Sequence, residues 1–257
     1  MEVRAEGQIA ADTISNKRQL WPISFQVEHV SKRIHDNFSR IHEIYGPMNH
    51  ILSFGVDTLW RSDAAREIVS YRPGRILDVA TGTGDLAMSI WKEALRAGVS
   101  TKIVGIDFNS SMLEVARERI KRHRMDGITV RQMNALKLGY DRGSFDLVTS
   151  GFAIRNFDDV DAFLKGAGRV LCPGGKLVLL DMAMPDGGVQ RAVFGLYAPV
   201  MRMVGRLVDK EAYDWLVDSI EQFDKKKFVS RIRGAGFKDV RMRQLASGIA
   251  YIVTASR

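Results

Sequence analysis

Short apolar runs alternate with longer amphipathic segments from about residue 75 to residue 181. The runs have the length and the β-branched content of buried strands, whereas the longer segments carry apolar residues at helical spacing. Five strands are predicted at 76–79, 102–107, 128–132, 145–149 and 176–181, with helices at 85–97, from 110 onward and at 160–170. Strands separated by helices require crossover connections, so the pattern predicts a mostly parallel sheet.

The region after residue 185 departs from this alternation. Residues 186–224 form a long, Met-rich segment that is helical in pattern, and a further helix is predicted at 226–234. Two late strands at 240–245 and 249–254 bring the predicted sheet to seven strands. We expect these two strands to pair as a hairpin at the edge of the sheet.

The N-terminal part has weaker patterns. Residues 28–70 are helical in pattern, with a last helix at 63–70 and a break at Gly46-Pro47, because a residue before proline avoids the α region. Residues 1–27 show no clear period. We therefore expect an N-terminal arm over 1–27 and one domain over 28–257. In this domain, 28–70 form lid helices and 186–224 are inserted as a helical cap.

A glycine turn joins the first strand to its helix. Gly82 and Gly84 lack the Cβ that would keep a ligand away from the backbone, and glycine readily adopts positive φ. The second strand ends at Asp107, 22 residues after Asp85, where ribose-binding carboxylates lie in folds of this type. The turn and the acid together predict a site for an adenine-containing cofactor.

Two acids decide which cofactor is favoured. Asp78 and Asp85 flank the glycine turn, where carboxylates would repel a pyrophosphate and attract a cation. This favours the sulfonium and amino group of S-adenosylmethionine over NAD; the bland alternative is a turn acid and a helix N-cap. Asp107 can accept hydrogen bonds from both ribose hydroxyls, or can instead cap the helix that begins near Ser110.

Composition and charge bound the remaining possibilities. The chain has 257 residues, of which 46% are apolar, enough for the core of one α/β domain. A net charge of +8 favours an anionic surface, either nucleic acid or membrane headgroups, unless the basic residues only form solvated helix faces. No basic run is interleaved with aromatic residues, which argues against nucleic acid.

Other features concern the compartment and metals. One cysteine excludes an intramolecular disulfide, and neither a secretory signal nor a run of about 18 apolar residues is present, so we expect a cytoplasmic protein. None of the five histidines has metal-ligand spacing to cysteine or carboxylate, and no metal site is predicted.

Several segments have the form of a known family's motifs. They are YGPMNHILSFG at 45–55 followed by Trp60-Arg61, LDVATGTGD at 77–85, NA at 134–135, GFAIRN at 151–156, RVLCPGG at 169–175, YDWLVDSIEQF at 213–223, AGF at 235–237 and GI at 248–249. From about residue 38 to the C-terminus, the chain resembles the UbiE/COQ5/MenG family of class I methyltransferases, which methylate a ring carbon in ubiquinone and menaquinone synthesis. The chain departs from the family pattern at Gly151, Asp224 and Val253, where the family has serine, proline and histidine.

The resemblance implies a Rossmann-like class I methyltransferase fold with helices on both faces of the sheet. It also implies S-adenosylmethionine as cofactor and the methylation of a ring carbon of an electron-rich dihydroxy ring. The predicted cofactor residues are Asp78, Ala80, Thr81, Gly82, Thr83, Gly84, Asp107, Phe108, Met112, Asn134, Ala135 and Gly151. Asn134 can read an adenine edge, or it can be an ordinary turn residue.

The acceptor side follows from the same resemblance. The predicted catalytic residues are Arg155, Asn156 and the lid residue Tyr45, and the predicted substrate residues are Met48, Asn49, Phe152, Arg155 and Tyr197. Arg155 would stabilise a phenolate or orient a water, and Asn156 would hold a ring oxygen. Arginine stays protonated and is not a conventional base, and its alternative role is an ion pair with Asp158 or Asp159.

The implied acceptor is a hydrophobic small molecule with a polyprenyl tail. The segment 189–208 is then either a core helix of the cap or part of an apolar groove near a membrane, with Arg191, Arg202 and Arg206 at headgroup level. We expect peripheral contact at the inner face of the membrane, and a homodimer. The alternatives are another small-molecule or lipid acceptor, a nucleic-acid methyltransferase and, least favoured, an NAD-dependent oxidoreductase.

Overall fold

The computed structural model describes residues 55–245 and 248–257, with the backbone alone at 204, 206–209 and 211–213. In chain order, the elements are α1 (Val56–Ser70), β1 (Arg75–Val79), α2 (Asp85–Arg96), β2 (Lys102–Asp107), α3 (Ser110–Arg122), β3 (Ile128–Gln132), β4 (Phe145–Gly151), a 3-10 turn (Ile154–Asn156), α4 (Val160–Val170), β5 (Leu171–Met182), α5 (Gly188–Gln222), α6 (Lys225–Gly234), β6 (Lys238–Gln244) and β7 (Ala250–Ser256). The predicted arm and most of the predicted lid lie outside the described residues.

The strands form one seven-stranded sheet in the order β3-β2-β1-β4-β5-β7-β6. The first five strands in chain order are parallel, and β7 runs antiparallel to both of its neighbours. The order reverses beside β1, whose neighbours are β2 and β4. In open sheets of this kind, the crevice at the carboxyl ends of the strands beside such a reversal binds ligands.

The late hairpin lies at the edge of the sheet, as predicted. β7 lies between β5 and β6, so only β6 occupies the edge. Six of the seven residues of β7 are buried, whereas exposed and half-buried residues make up the whole of β6. A strand that is apolar on both faces needs neighbours on both sides and cover on both faces, and this places β7 inside the sheet.

Helices cover both faces of the sheet, as predicted. One face is covered by α4 and α6, which contribute Phe163 and Phe228 to the larger core cluster. The other is covered by α1 and α2, which contribute Ile68 and Ile90 to a second cluster. Both faces of the sheet are covered at its centre, because β1 and β4 have runs of four consecutive buried residues, at 76–79 and 147–150, rather than an alternation of buried and exposed ones.

The predicted cap corresponds to α5, which is not straight. Arg202 hydrogen-bonds to Asp218, 16 residues later, at 2.8 Å. A straight helix would separate these residues by roughly 24 Å, so α5 bends between its two halves. The halves pack through a small apolar cluster of their own, in which Phe194 and Met201 meet Leu216 and Ile220.

Two of the arginines of the cap have partners in the described part of the chain, and the location of all three at headgroup level stays a prediction. Arg202 forms ion pairs with Asp214, Asp218 and Glu221 within the cap. Arg191 donates from Nε to the carbonyl oxygen of Pro185. The side chain of Arg206 lies outside the described part of the structure. Within the described ranges, no helix combines the length and hydrophobicity that a membrane crossing requires.

Candidate active site

A cleft of about 230 Å³ lies beside the carboxyl ends of β1, β2 and β4 and below the cap. The predicted site residues that line it are Asp78, Ala80, Thr81, Gly82, Thr83, Asp107, Phe108, Met112, Gly151, Phe152, Arg155, Asn156 and Tyr197. Gly84, Asn134 and Ala135 are absent from its lining. Tyr45, Met48 and Asn49 lie outside the described residues, and their roles stay predictions.

The glycine turn has the backbone that the sequence predicts. Gly82 has φ +55° and Gly84 has φ +83°, and a Cβ built on Gly82 would meet no protein atom within 4 Å. Gly82 therefore faces open space rather than a packed neighbour. Ala80 adopts φ +56° in the same turn, a conformation that a residue with a Cβ reaches only at a cost.

Asp78 is the most perturbed carboxyl group of the cleft. Its side chain is buried, Oδ2 accepts a hydrogen bond of 2.6 Å from the Thr81 hydroxyl, and Oδ1 has no hydrogen-bond partner among the described residues. Burial is the main cause that raises the pKa of Asp78 to about 7; the charge of the nearby Asp107 acts in the same direction, while the Thr81 hydroxyl and the Ala87 backbone amide act in the opposite direction. A buried acid of this kind is suited to a cationic ligand.

Asp85 has a different environment from Asp78, so the two acids that flank the glycine turn do not contribute equally to the attraction of a cation. Burial alone would raise the pKa of Asp85, but the charges of Arg61 and Arg119 outweigh it, and the pKa is lowered. Arg119 donates to Asp85 at 2.7 Å and Thr83 donates at 2.8 Å. The charge of Asp85 is thus compensated within the protein, and a cationic ligand is left to Asp78.

Asp107, the last residue of β2, hydrogen-bonds to the backbone of the glycine turn. Its Oδ2 accepts from the Gly82 amide at 2.8 Å and its Oδ1 accepts from the Asn109 amide at 2.9 Å. The cap of α3 is Asn109, whose Oδ1 accepts from the Met112 amide at 3.2 Å. Each carboxylate oxygen of Asp107 keeps a lone pair beyond these bonds, so the ribose role stays open to it.

Arg155 forms a different ion pair from the one that the sequence suggests. Its guanidinium pairs with Asp181 on β5, and the two side chains are 1% and 0% exposed. The pairing with Asp158 or Asp159 is therefore wrong. Nη1 also donates to the Phe152 carbonyl oxygen at 3.4 Å, and Nε donates to Ser219 at 3.1 Å. Nη2 is buried without a hydrogen-bond partner among the described residues.

The wall beyond Arg155 is mainly apolar and comes from the cap. Phe194, Met201, Leu216 and Ile220 line this part of the cleft together with Tyr197. Asn156, next to Arg155, has a buried Oδ1 that lacks a partner in the described part of the chain. The cleft thus joins a polar end at the glycine turn to an apolar end that contains one buried cation.

Helix α1 contributes residues to which the sequence assigned no role. Trp60 and Arg61 line the cleft, the Phe152 ring lies 6.1 Å from the Trp60 ring, and the Arg61 guanidinium lies 5.0 Å from the Phe152 centroid. Arg61 also pairs with Asp57. Phe152 itself has φ +59°. Trp60-Arg61 is part of the family resemblance, and this is the only sequence signal that could have marked the pair.

Nearby contacts account for two other residues that the sequence places at the cofactor, Asn134 and Gly151. Asn134 Oδ1 accepts from the Leu136 amide at 2.8 Å, which is the ordinary turn role that the sequence left open. Its cofactor role stays a prediction. A Cβ on Gly151 would lie 3.1 Å from Leu86 Cδ2, so the serine of the family pattern would require Leu86 to shift.

Comparison with known sequences gives a consistent result. Residues 26–257 match the model of the ubiE/COQ5 methyltransferase family. The chain is 39% identical over 221 residues to a demethylmenaquinone methyltransferase of Deinococcus radiodurans, covering 84% of this chain and 89% of that protein. It is 35% identical over 237 residues to a ubiquinone/menaquinone biosynthesis C-methyltransferase UbiE of Geotalea daltonii, covering 91% of this chain and all of that protein.

Solved structures share the fold at low sequence identity. A SAM-dependent methyltransferase from Aquifex aeolicus matches with a TM-score of 0.54 and 18% identity, covering 75% of this chain and 88% of that one. The [4+2]-cyclase SpnF matches with a TM-score of 0.63 and 14% identity, covering 87% and 96%. Because one of these proteins is a cyclase, the fold alone does not select the reaction.

Proposed function

The chain belongs to the ubiE/COQ5 methyltransferase family, and from this membership we propose that it methylates a ring carbon of a quinone precursor with an apolar tail. It is an S-adenosylmethionine-dependent methyltransferase. One observation carries the proposal for the acceptor. The apolar end of the cleft contains a buried guanidinium with an unused N–H group, which suits a ring oxygen in apolar surroundings.

The residues at the polar end fit the cofactor. Asp78 offers a buried carboxylate oxygen without a partner to a cationic group, and Gly82 leaves open space above the backbone. Asp107 would hold the ribose hydroxyls. The bound cofactor supplies an electrophilic methyl group on a positively charged sulfur.

The residues of the chain then prepare the acceptor. Attack by a ring carbon becomes easier as a neighbouring hydroxyl loses its proton, and Arg155 Nη2 would stabilise the oxygen charge that develops. Asn156 would orient the ring through a second oxygen. Phe194, Met201 and Leu216 exclude water, and this strengthens the attraction between the guanidinium and the oxygen. Arg155 acts as a fixed cation and not as a base, since it does not deprotonate in proteins.

The direct test uses methyl-labelled cofactor and a panel of acceptors. The panel contains reduced demethylated naphthoquinols and benzoquinols with and without a prenyl tail, together with a phenolic and an amine acceptor. Label should appear on a ring carbon of a quinol. Transfer to an oxygen or to an amine, with none to the quinols, would exclude the proposal and favour the alternative of another small-molecule or lipid acceptor.

Arg155→Lys should lower turnover while leaving the cofactor site intact. Lysine keeps a positive charge beside Asp181 but cannot supply both the Ser219 contact and a separate donor to the acceptor. We expect kcat/KM to fall roughly 30-fold, whereas the dissociation constant of S-adenosylhomocysteine, measured by calorimetry, changes by less than about twofold. Equal losses in both measurements would show that Arg155 serves the structure of the whole cleft and not the acceptor.

The cofactor affinity should depend on pH through Asp78. A cationic ligand binds the ionised carboxylate, and a pKa of about 7 means that protonation competes with binding below neutral pH. Between pH 6 and pH 7.5, the affinity for S-adenosylmethionine should rise roughly tenfold. Calorimetry in buffers of different ionisation enthalpy should detect proton release at pH 6. Asp78→Asn should flatten this dependence, and a flat profile for the unaltered protein would contradict the assignment.

A membrane surface is the proposed source of the acceptor. The first half of α5 exposes Val189, Val193, Leu196, Val200 and Met203, which recur every three or four residues and therefore share one side of the helix. The opposite side contributes Phe194 and Met201 to the cleft. An apolar tail stays in the bilayer, since each buried methylene contributes about 0.8 kcal/mol. This exposed apolar face would bring the cleft to the lipid.

Leu196→Glu should weaken binding to vesicles. Leu196 is 79% exposed on the apolar face, whereas Leu95 is 64% exposed on α2 and provides a matched control as Leu95→Glu. In sedimentation with vesicles containing anionic lipid, the first variant should lose at least about tenfold in partitioning and the second should not. If Leu196→Glu instead changes only the oligomeric state in ultracentrifugation, the face pairs two copies of the chain.

A further inference from the structure

Groups from three parts of the fold hold Arg155. Asp181 on β5 accepts the guanidinium through Oδ1 and the Arg155 backbone amide through Oδ2, the latter at 3.2 Å. The Phe152 carbonyl oxygen accepts from Nη1 at 3.4 Å. Ser219 on α5 accepts from Nε at 3.1 Å. Of the three guanidinium nitrogens of Arg155, only Nη2 is buried without a partner among the described residues.

Ser219 is oriented to accept rather than to donate in this arrangement. Its hydroxyl donates to the Leu216 carbonyl oxygen one turn earlier, at 2.7 Å. The proton of the hydroxyl is therefore engaged in the helix, and the lone pairs remain for Arg155 Nε. Arg155 follows β4, and Ser219 lies 64 residues later in the cap. The hydrogen bond thus ties the alignment of the guanidinium to the docking of the cap.

Asp181 fixes the same group from the sheet side. Its Oδ1 also accepts from the Met182 amide at 2.8 Å, which holds the carboxylate in place. A carboxylate that binds both the guanidinium and the backbone amide of one arginine restricts the rotation of the whole side chain.

We propose that Asp181 and Ser219 are positioning residues that align Arg155 and leave Nη2 for the acceptor. The proposal rests on the role of Arg155 in the proposed function. Ser219 makes this alignment depend on the cap, so a guanidinium ready for the acceptor is formed only when the second half of α5 is docked. Neither residue touches the reacting atoms.

A double-mutant cycle tests the role of Ser219. Lysine at 155 has no Nε–H group in the arginine position, so Ser219→Ala should matter only when Arg155 is present. In the unaltered background, Ser219→Ala should lower kcat/KM roughly tenfold; in Arg155→Lys, it should change kcat/KM by less than about twofold. Ser219→Thr keeps the hydroxyl and should restore most of the activity. Equal losses from Ser219→Ala in both backgrounds would overturn the proposal.

A matched control separates positioning from helix stability. Ser70 also donates to a carbonyl oxygen three residues earlier, Glu67 at 2.6 Å, but lies at the end of α1 outside the cleft. Ser70→Ala should leave kcat/KM and the affinity for S-adenosylhomocysteine unchanged. If it lowers kcat/KM as much as Ser219→Ala does, the loss of a helical serine is the cause and the proposal fails.

A second measurement does not depend on any acceptor. The NMR signal of the Arg155 Nε–H group, assigned by its absence in Arg155→Lys, should exchange slowly with water and should exchange faster in Ser219→Ala and in Asp181→Asn. An unchanged exchange rate in both variants would overturn the positioning role. If the unaltered protein methylates no quinol but shows the protected signal, the proposed function fails while the positioning role is retained.

Discussion

Asp78→Asn should make the cofactor-free protein more stable while it removes most of the affinity for the cofactor. The unfolded carboxyl group ionises near 3.8, whereas the folded group keeps its proton up to about 7. Folding therefore opposes ionisation, and a shift of this size corresponds to a penalty on the order of 4 kcal/mol above pH 7. Asparagine has nearly the same shape and avoids this penalty.

The stabilisation of the cofactor-free protein by Asp78→Asn should depend on pH. Since the folded pKa is raised, the penalty is absent below the unfolded value of 3.8, grows as pH rises, and is complete above about 7. Urea unfolding of the cofactor-free protein should show little difference between Asp78→Asn and the unaltered chain at pH 4, and a difference of a few kcal/mol at pH 8. Calorimetry at pH 8 should show that the affinity for S-adenosylmethionine falls by roughly 10- to 100-fold, because a hydrogen bond to a charged group is lost.

Asp85→Asn is the matched control, and its effect should have the opposite sign. The pKa of Asp85 is lowered despite its burial, because Arg61 and Arg119 stabilise its charge. Its ionised form therefore stabilises the fold above pH 4, and removal of the charge should lower the stability at pH 8. If both variants shift the unfolding midpoint in the same direction, the assignment of separate roles to the two acids is wrong.

Arg155→Met, in the 3-10 turn that follows β4, should be strongly destabilising. It leaves the carboxylate of Asp181, which is 0% exposed, without its counter-charge. Breaking a buried pair on one side costs about 3–5 kcal/mol, whereas replacing both partners by apolar residues is often neutral. The double variant Arg155→Met/Asp181→Leu should therefore recover most of the stability while remaining inactive. Urea unfolding at pH 7 measures all three proteins.

An exposed pair provides the comparison. Arg231 Nε lies 2.7 Å from Asp161 Oδ1, but the two side chains are 34% and 65% exposed. Arg231→Met should cost less than about 1 kcal/mol, since exposed ion pairs contribute little. If Arg155→Met is as mild as Arg231→Met, water must reach Asp181, and the apolar end of the cleft is not closed as described.

Local signals explain which parts of the fold the sequence predicted well. The predicted helix 160–170 matches α4 at both ends, because Asp159 caps its start and the Pro173-Gly174-Gly175 segment follows its end. The sequence predicts a helical pattern up to residue 60 and a separate helix at 63–70, whereas α1 runs without a break from Val56 to Ser70. The buried side of this helix includes Asp57, Ala64 and Ala65, which do not give the apolar period that marks a helix.

The ion pairs of the cleft could not be predicted from the sequence, because they join residues that are distant in the chain. Asp158 and Asp159 are near Arg155 in the chain, but its partner is Asp181 on β5, 26 residues away. Which acid pairs with an arginine is decided by strand order, and spacing alone does not give that order. The same holds for Asp85, whose charge is compensated by Arg119, 34 residues away. The glycine turn, by contrast, is predicted well because its conformation is local.

The position of β7 has a consequence for aggregation. The strand pairs with β5 along 176–182, and the residues at 177–181 of β5 are completely buried. When the β6–β7 hairpin detaches, it uncovers a long apolar edge with unpaired amide and carbonyl groups, which is a template for pairing with another chain. Heating should therefore produce intermolecular strand signals in infrared spectra as soon as this hairpin detaches. Solution conditions that keep the β6–β7 hairpin paired with β5 should therefore reduce aggregation during storage more than conditions that stabilise the cleft.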